Sequence, residues 1–191
     1  EGIEFMSSAF SVADAKLLVS LKCKKIKIPS FEVNNLELLD FCKKNFGTIY
    51  ISTGTANKDE IYQLSNFFKN WAGKLIVMHC VSAYPCNAEN INLPRINHLR
   101  KFFKNVGFSD HTQGTLTSIA SIMQDPVAIE KHFTIDHNLP GRDNKFAILP
   151  SEMKQIADFI HVNNDSMIDH GLDYQDIELA SRDTYRGRFN G

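Results

Sequence analysis

Short apolar runs alternate along the chain with longer amphipathic stretches. The short runs favour buried strands, and the longer stretches, with apolar residues at three- and four-residue spacing, favour helices. The predicted strands are residues 3–7, 25–30, 48–52, 74–80, 106–109 and 126–130. The predicted helices are residues 12–21, 35–45, 58–71, 93–104, 114–124 and 150–163. Alternation of strand and helix predicts a parallel sheet with helices outside it.

This pattern contains six strand–helix units, whereas a complete barrel of this kind has eight. The predicted fold class is therefore α/β, a TIM (β/α)8 barrel that lacks its first two βα units. An open doubly wound sheet is the alternative that the pattern leaves open. Residues 1–163 are expected to form one partial barrel domain, followed by a polar tail over 164–191. Asn34 is the expected N-cap of the second helix, and Pro150 is expected to begin the last one.

The composition is that of an ordinary globular protein, with 43% hydrophobic residues, 23% charged residues and a net charge of −1. Near-neutral charge argues against nucleic acid or an anionic membrane as the main partner. No apolar run approaches the roughly 18–20 residues that span a bilayer, and the start has no signal-peptide pattern. The four cysteines form no CxxC pair. Reduced thiols and a cytoplasmic location are expected.

Polar side chains recur where the predicted strands end. In parallel α/β folds the carboxyl ends of the strands carry the functional site. Each serine or threonine could equally begin a loop or cap a helix, but six positions in register favour a polar pocket. The polar residues are Ser7, Ser8, Lys27, Ser30, Ser52, Thr53, His79, Ser82, 109–112 and 130–134.

Two histidines follow neighbouring predicted strands, in GFSDHT (107–112) and IEKHFT (129–134). A lone histidine at a strand end is more often structural. A pair on adjacent strands, each near a carboxylate, favours a shared divalent metal bound by His111 and His132. Asp110 and Glu130 either orient the imidazoles or form salt bridges elsewhere.

Three further positions suggest anion or hydroxyl binding. In KKIKIPS, the flanking isoleucines share one face, so Lys27 is expected to point into the barrel and to need a phosphate or carboxylate partner. The alternative is a solvated lysine on an edge strand. Gly54 precedes a helix whose amides could hold a phosphate oxygen, although such loops are more often simple caps. Asp143, in PGRDN, either contacts substrate hydroxyls or stabilises a turn.

At these residues the chain resembles the N-acetylneuraminate (sialic acid) synthase family. That family includes legionaminate and pseudaminate synthases and spore-coat polysaccharide relatives. The motifs keep their order and spacing over about residues 1–155. They are SSAF (7–10), KIPSFEVNN (27–35), STGTANKDEI (52–61), VMHCVSAYP (77–85), VGFSDHT (106–112), IEKHFT (129–134) and PGRDNKFAILPSEM (140–153).

The resemblance implies a (β/α)8 barrel enzyme, a phosphoenolpyruvate-dependent transferase. It would condense phosphoenolpyruvate with an N-acylated amino sugar, giving a nonulosonic acid and phosphate. His111, His132 and Lys27 would be the catalytic residues, with the two histidines binding Mn²⁺, or Mg²⁺ or Co²⁺ in its place. Tyr84 and Asp143 would contact the sugar. The phosphate and carboxylate of phosphoenolpyruvate would be held by Ser8, Lys27, Ser30, Ser52 and Ser109. The implied partners are small-molecule substrates, and a homo-oligomer is left open.

The chain also departs from the family pattern. The Glu-x-Gly-x-Asn-His-x-Gly strand and the Lys-Phe-Gln strand of the first two family units have no counterpart, nor does the C-terminal antifreeze-like domain. Ser8 stands where the family has Thr, Thr55 where it has Met, and Asn144 where it has His. Two other hypotheses remain open: a non-catalytic sugar- or phosphate-binding relative or truncated remnant, and a different metal-dependent barrel enzyme.

Overall fold

A computed structural model describes residues 2–188 of the chain. Within that range the strands are β1 (Lys25–Ile28), β2 (Thr48–Ser52), β3 (Lys74–His79), β4 (Val106–Asp110) and β5 (Ile129–Lys131). The α-helices there are α1 (Val12–Ser20), α2 (Leu36–Asn45), α3 (Lys58–Phe68), α4 (Arg95–Leu99), α5 (Leu116–Ile122), α6 (Pro150–Ser166) and α7 (Leu179–Tyr185).

The strands form one parallel sheet in the order β1-β2-β3-β4-β5. Consecutive strands are always neighbours, so the sheet has no point at which the strand order reverses. A doubly wound sheet requires such a reversal, whereas a barrel adds each strand beside the one before it. The prediction of an α/β fold with a parallel sheet is therefore confirmed, and the sheet is a curled half-barrel.

The strand predicted over residues 3–7 is wrong. The backbone there forms a single parallel bridge, between Ser8 and Lys27, with hydrogen bonds from Lys27 N to Ser7 O and from Ala9 N to Lys27 O. Ile3 and Phe5 resemble core residues in sequence but are 91% and 66% exposed. The run is apolar, yet no packed layer covers it, so hydrophobicity alone did not produce a strand.

Side chains on the outer face of the sheet form the main hydrophobic core. Ile28, Ile51 and Phe108 are fully buried there, beneath the helices. The inner face packs separately. A Cβ on Gly107 would lie 2.8 Å from the backbone oxygen of Ala128 beside the neighbouring strand, so glycine allows this close approach. The two faces thus divide the chain into an apolar outer layer and an inner surface whose upper edge is polar.

Capping residues explain where several helices begin. The N-cap of α2 is Asn35, whose side chain accepts from Leu38 N, and not Asn34 as the sequence suggested. Asn57 and Glu60 form a reciprocal capping box at α3. Pro150 occupies the first turn of α6, as predicted.

Several segments differ in length from their predicted bounds. The helix predicted over residues 93–104 is helical only from Arg95 to Leu99, and most of the remainder forms turns. The final predicted helix continues to Ser166. The division between a barrel domain and a tail at residues 163 and 164 stays a prediction. None of the helices in the described range has the length and apolar content needed to cross a bilayer.

Candidate active site

A cavity of about 480 Å³ opens at the carboxyl ends of the strands. The curled sheet brings together here the nine residues that the family resemblance implied for catalysis, metal binding or substrate binding. Those on its lining are Ser8, Lys27, Ser30, Ser52, Tyr84, Ser109, His111, His132 and Asp143. Their separation in sequence exceeds a hundred residues, so only the sheet makes them neighbours. Their roles stay predictions.

The floor of the cavity holds an ion pair between β1 and β5. Lys27 Nζ lies 2.9 Å from Glu130 Oε1, and Ser109 Oγ donates to the same oxygen at 2.7 Å. Burial raises the pKa of Glu130, but the charge and hydrogen bond of Lys27 and the bond from Ser109 outweigh it, so the pKa lies below its ordinary value. The carboxylate is therefore ionised at neutral pH. Lys27 thus has an anionic partner within the protein itself, which the sequence did not reveal.

The two predicted histidines meet above this ion pair. His111 and His132 are the first residues after β4 and β5, and their ring centroids are 5.5 Å apart. His111 Nδ1 donates to Val81 O at 2.7 Å, which leaves Nε2 on the cavity side, 3.4 Å from Ser109 Oγ. Burial lowers the pKa of His111. A neutral imidazole with a fixed Nδ1–H is the form that binds metals through Nε2.

The donor set fits part of a metal site. Two imidazoles are available, but no group of three or more His, Cys, Asp or Glu side chains that could hold a metal occurs among residues 2–188. Transition-metal ions need four or more ligands. Any ion between His111 and His132 would therefore take its remaining ligands from water, from substrate oxygens or from groups outside the described range.

Serine hydroxyls line the side of the cavity beneath β1, β2 and β3. Ser52 Oγ is buried and has no hydrogen-bond partner among residues 2–188, so it can donate to a bound anion. Ser30 Oγ lies 3.1 Å from Cys80 Sγ and accepts from Gly54 N at 3.0 Å. The Gly54 amide, suggested from sequence as a phosphate ligand, is thus already used to hold Ser30.

The mouth of the cavity is aromatic and partly charged. The Tyr84 ring packs 4.3 Å from the His111 ring and 5.8 Å from the His132 ring, measured between centroids. Burial raises the pKa of Tyr84, so its hydroxyl stays protonated at neutral pH. Asp143 Oδ2 lies 3.6 Å from His132 Nδ1. A ligand entering here would meet a hydroxyl, a carboxylate and an imidazole.

A second ion pair joins β4 and β5 on the opposite, outer face. Asp110 Oδ2 and Lys131 Nζ are 2.9 Å apart, and their side chains are 0% and 2% exposed. Both carboxylates that the sequence placed near the histidines therefore form salt bridges, Asp110 with Lys131 and Glu130 with Lys27. Within the described residues, neither forms a hydrogen bond or ion pair with an imidazole.

His79 is the clearest strand-end residue that does not belong to the cavity. It is fully buried on the outer face, where Nε2 donates to Ile91 O at 2.8 Å. Burial lowers its pKa to about 4. His79 lies on the outer face because side chains alternate along a strand, so His79 shares a face with Val77 and not with Met78.

Sequence reasoning missed several lining residues. Phe10 and Phe31 expose 57% and 64% of their surface at the mouth, and Arg142 lies beside Asp143 there. Phe10, Phe31 and Arg142 lie inside the motifs quoted for the family resemblance. Position within a motif was therefore a usable signal for these residues.

Comparison with known proteins identifies the family to which this sequence is similar. The sequence profile of the NeuB family matches residues 1–170. The N,N'-diacetyllegionaminic acid synthase of Legionella pneumophila is 36% identical over 165 residues, covering 83% of this chain and 46% of the relative. A pseudaminic acid synthase of Campylobacter jejuni is 33% identical over 184 residues, covering 95% and 54%.

The fold agrees as well. The crystal structure of an N-acetylneuraminic acid synthetase from Leptospira borgpetersenii, solved with citrate, superposes with a TM-score of 0.81 at 28% identity. The match covers 94% of this chain and 64% of that one. The chain spans about half the length of the curated relatives it matches.

Proposed function

From the premise that the chain belongs to the NeuB family, we propose that it forms part of a phosphoenolpyruvate-dependent synthase. The reaction condenses phosphoenolpyruvate with an N-acylated amino sugar and yields a nonulosonic acid and phosphate. The observation that carries the proposal is the single cavity that collects all nine predicted site residues. The complete (β/α)8 barrel, with two further βα units, belongs to the same proposal, as does a cytoplasmic location.

The anionic substrate fits the floor of the cavity. Lys27 supplies a positive charge, and the free hydroxyl of Ser52 supplies a donor that has no partner within the described structure. Ser8, Ser30 and Ser109 surround them. A cation and hydroxyl donors that are already oriented in one pocket stabilise phosphate and developing negative charge.

Glu130 keeps this floor electrically balanced before substrate binds. Its ionised carboxylate holds Lys27 Nζ and Ser109 Oγ in place, so both donors are oriented in advance. An incoming phosphate would then share Lys27 with Glu130. Such preorganisation lowers the free-energy cost of orienting the donors during the reaction.

The acceptor sugar fits the opposite side, near the mouth. Tyr84 and Asp143 offer a hydrogen-bond donor and an acceptor to its hydroxyl groups, and the Tyr84 ring covers His111. His111 and His132 would hold the divalent ion, with Mn²⁺ as the first candidate and Mg²⁺ or Co²⁺ as alternatives. A bound ion would supply Lewis acidity toward the open-chain aldehyde of the sugar.

The proposal is tested by incubating the full chain with phosphoenolpyruvate, Mn²⁺ and a panel of N-acylated amino sugars. Inorganic phosphate and nonulosonic acid should appear in equal amounts with at least one acceptor. His111→Ala should abolish this turnover, whereas His161→Ala, an exposed histidine on α6, should leave it unchanged.

Two outcomes would contradict the proposal. Binding of phosphoenolpyruvate without phosphate release with any acceptor would favour the non-catalytic binding relative. Turnover of a sugar in the absence of phosphoenolpyruvate would favour a different metal-dependent barrel enzyme. Measuring the oligomeric state of the same sample would test whether the chain assembles into a homo-oligomer.

A further inference from the structure

We propose that Asp110 and Lys131 form a positioning pair that fixes His111 and His132 relative to each other from behind the sheet. The inference rests on the proposed function in one respect, namely that these two histidines are the working residues of the cavity. It assigns a role to two buried charges that the cavity itself does not use, because neither Asp110 nor Lys131 lines it.

The pair lies directly opposite across two strands. Asp110 of β4 and Lys131 of β5 are register partners at the last position where the strands pair. Each is followed immediately by a histidine. Because side chains alternate along a strand, Ser109 and Glu130 face the cavity, Asp110 and Lys131 face outward, and the histidines face the cavity again. The ion pair therefore joins the two backbones one residue before each imidazole.

The contacts of Lys131 extend this connection past His111. Its ammonium lies 2.9 Å from Asp110 Oδ2, 2.5 Å from Thr112 O and 3.4 Å from Thr112 Oγ1. Asp110 Oδ1 accepts from Thr112 N at 2.8 Å. The residues on both sides of His111 are thus held by the same two charges, which restricts the backbone that carries its ring.

Helix α5 anchors the network from the outside. Ser118 Oγ donates to Asp110 Oδ2 at 2.5 Å, and Ser118 is fully buried. The histidine carbonyls are bound independently, His111 O by Cys86 N at 2.9 Å and His132 O by Ile148 N at 2.8 Å. These bonds fix each loop to its own surroundings. The Asp110–Lys131 pair instead ties one histidine-bearing segment to the other from the outer face, as the Ser109–Glu130 hydrogen bond does from the cavity side.

A positioning role for this pair can be distinguished from a purely stabilising role. Well-packed apolar residues often replace a buried ion pair without loss of stability. If the pair served stability alone, apolar replacements that keep the fold would also keep the histidine geometry. If the pair positions the histidines, the same replacements remove the bonds to Thr112, and the rings move while the fold survives.

The decisive variant is Asp110→Leu with Lys131→Met. The matched control is Asp158→Leu with Lys154→Met, which removes an exposed ion pair from α6 by the same chemical change. Histidine labelled with ¹³C at Cε1 reports the ring environments by NMR, and thermal unfolding reports the fold. Ser118→Ala, which removes one hydrogen bond and leaves no charge unpaired, is the second variant if the double variant does not fold.

The expected result is that the His111 and His132 signals shift or broaden and the cross-relaxation between the Tyr84 and His111 rings is lost. In the double variant the His161 signal should be unchanged. In the control variant the His111 and His132 signals should be unchanged. Ser118→Ala should shift the His111 signal in the same direction by a smaller amount. Unchanged His111 and His132 signals in the folded double variant, or in Ser118→Ala if only that variant folds, would overturn the proposal.

A titration with Mn²⁺ separates this inference from the function it rests on. Affinity should fall roughly 10–100-fold in the double variant, as is typical when a supporting residue of a metal ligand is removed. If the unmodified chain and His111→Ala bind Mn²⁺ equally, the metal part of the proposed function fails, and the NMR result still decides whether the pair positions the rings.

Discussion

The two faces of β5 carry two ion pairs with the same N···O distance and different surroundings. Lys27 and Glu130 meet on the cavity side, where the side chains are 9% and 39% exposed, and Asp110 and Lys131 meet on the outer side at 0% and 2%. Distance therefore does not distinguish them. The cavity pair can exchange its partner for a ligand because water and solutes reach it, whereas the outer pair is sealed between the sheet and α5.

The comparison shows how a single strand separates function from architecture. Adjacent residues, Glu130 and Lys131, face opposite sides because of the two-residue period of a strand. The charge of Glu130 is then accessible from the cavity, whereas the charge of Lys131 contacts only other residues of the protein. The difference between these two ion pairs can be tested by the following changes, in order of decreasing expected effect.

The largest effect is expected from Lys131→Met. It leaves the Asp110 carboxylate buried without its counter-charge, and breaking a buried pair on one side typically costs about 3–5 kcal/mol of unfolding free energy. Urea unfolding monitored by circular dichroism measures this loss. Lys154→Met breaks an exposed pair and should change little. Equal losses in the two variants would mean that the buried outer pair stabilises the fold no more than an exposed pair does.

Lys27→Met should instead weaken ligand binding more than stability. A hydrogen bond to a charged group contributes about 1.5–3 kcal/mol, so phosphoenolpyruvate affinity should fall roughly 10–100-fold. Isothermal titration calorimetry measures the affinity, and Lys16→Met on α1 is a control for loss of a lysine elsewhere. Unchanged affinity would mean that Lys27 does not contact the ligand in place of Glu130.

His79 sharpens the contrast through pH. Its folded pKa of about 4 lies below the ordinary 6.5, because burial disfavours the charged ring. The unfolded chain therefore takes up the proton first, and stability should fall as pH decreases from 6.5 towards 4. His79→Gln should reduce this slope in urea unfolding measured at several pH values. An unchanged slope would show that the outer face tolerates the charge.

The smallest effect is expected at the cavity pair under acid conditions. The pKa of Glu130 is held below its ordinary 4.5, so its ionised form contributes stability above that pH and loses the contribution as pH falls through the lower folded value. The stability difference between the unmodified chain and Glu130→Gln should therefore narrow below pH 4.5. A difference that stays constant with pH would mean that the charge of Glu130 does not stabilise the fold.

The cavity shows how far sequence reasoning reaches. Strand ends were located well enough to identify Lys27, His111 and His132, because short apolar runs bounded by polar residues indicate where a strand stops. The same reasoning grouped His79 with them, since it cannot tell which way the residues at the end of a run point. It also treated residues 3–7 as a core strand, although the fold leaves Ile3 and Phe5 exposed.

For a related reason, the sequence could not predict which acidic residue pairs with which lysine. Glu130 lies 103 positions from Lys27, and Lys131 lies 21 from Asp110. Nothing local links these residues, and the sequence left open whether the carboxylates orient imidazoles or bind lysines. The answer depends on strand order and on register, which are set by the whole sheet.

The sequence by itself determined the alternation of strands and helices, the parallel sheet and the residue types at its carboxyl edge, because these follow from local periodicity and from motifs within one segment. Only the tertiary structure decided which of those residues share the cavity, which carboxylate holds which lysine, and which histidines face a ligand. Those outcomes follow from the pleat and curl of the sheet, which place residues distant in the chain side by side and send neighbours such as Glu130 and Lys131 to opposite faces.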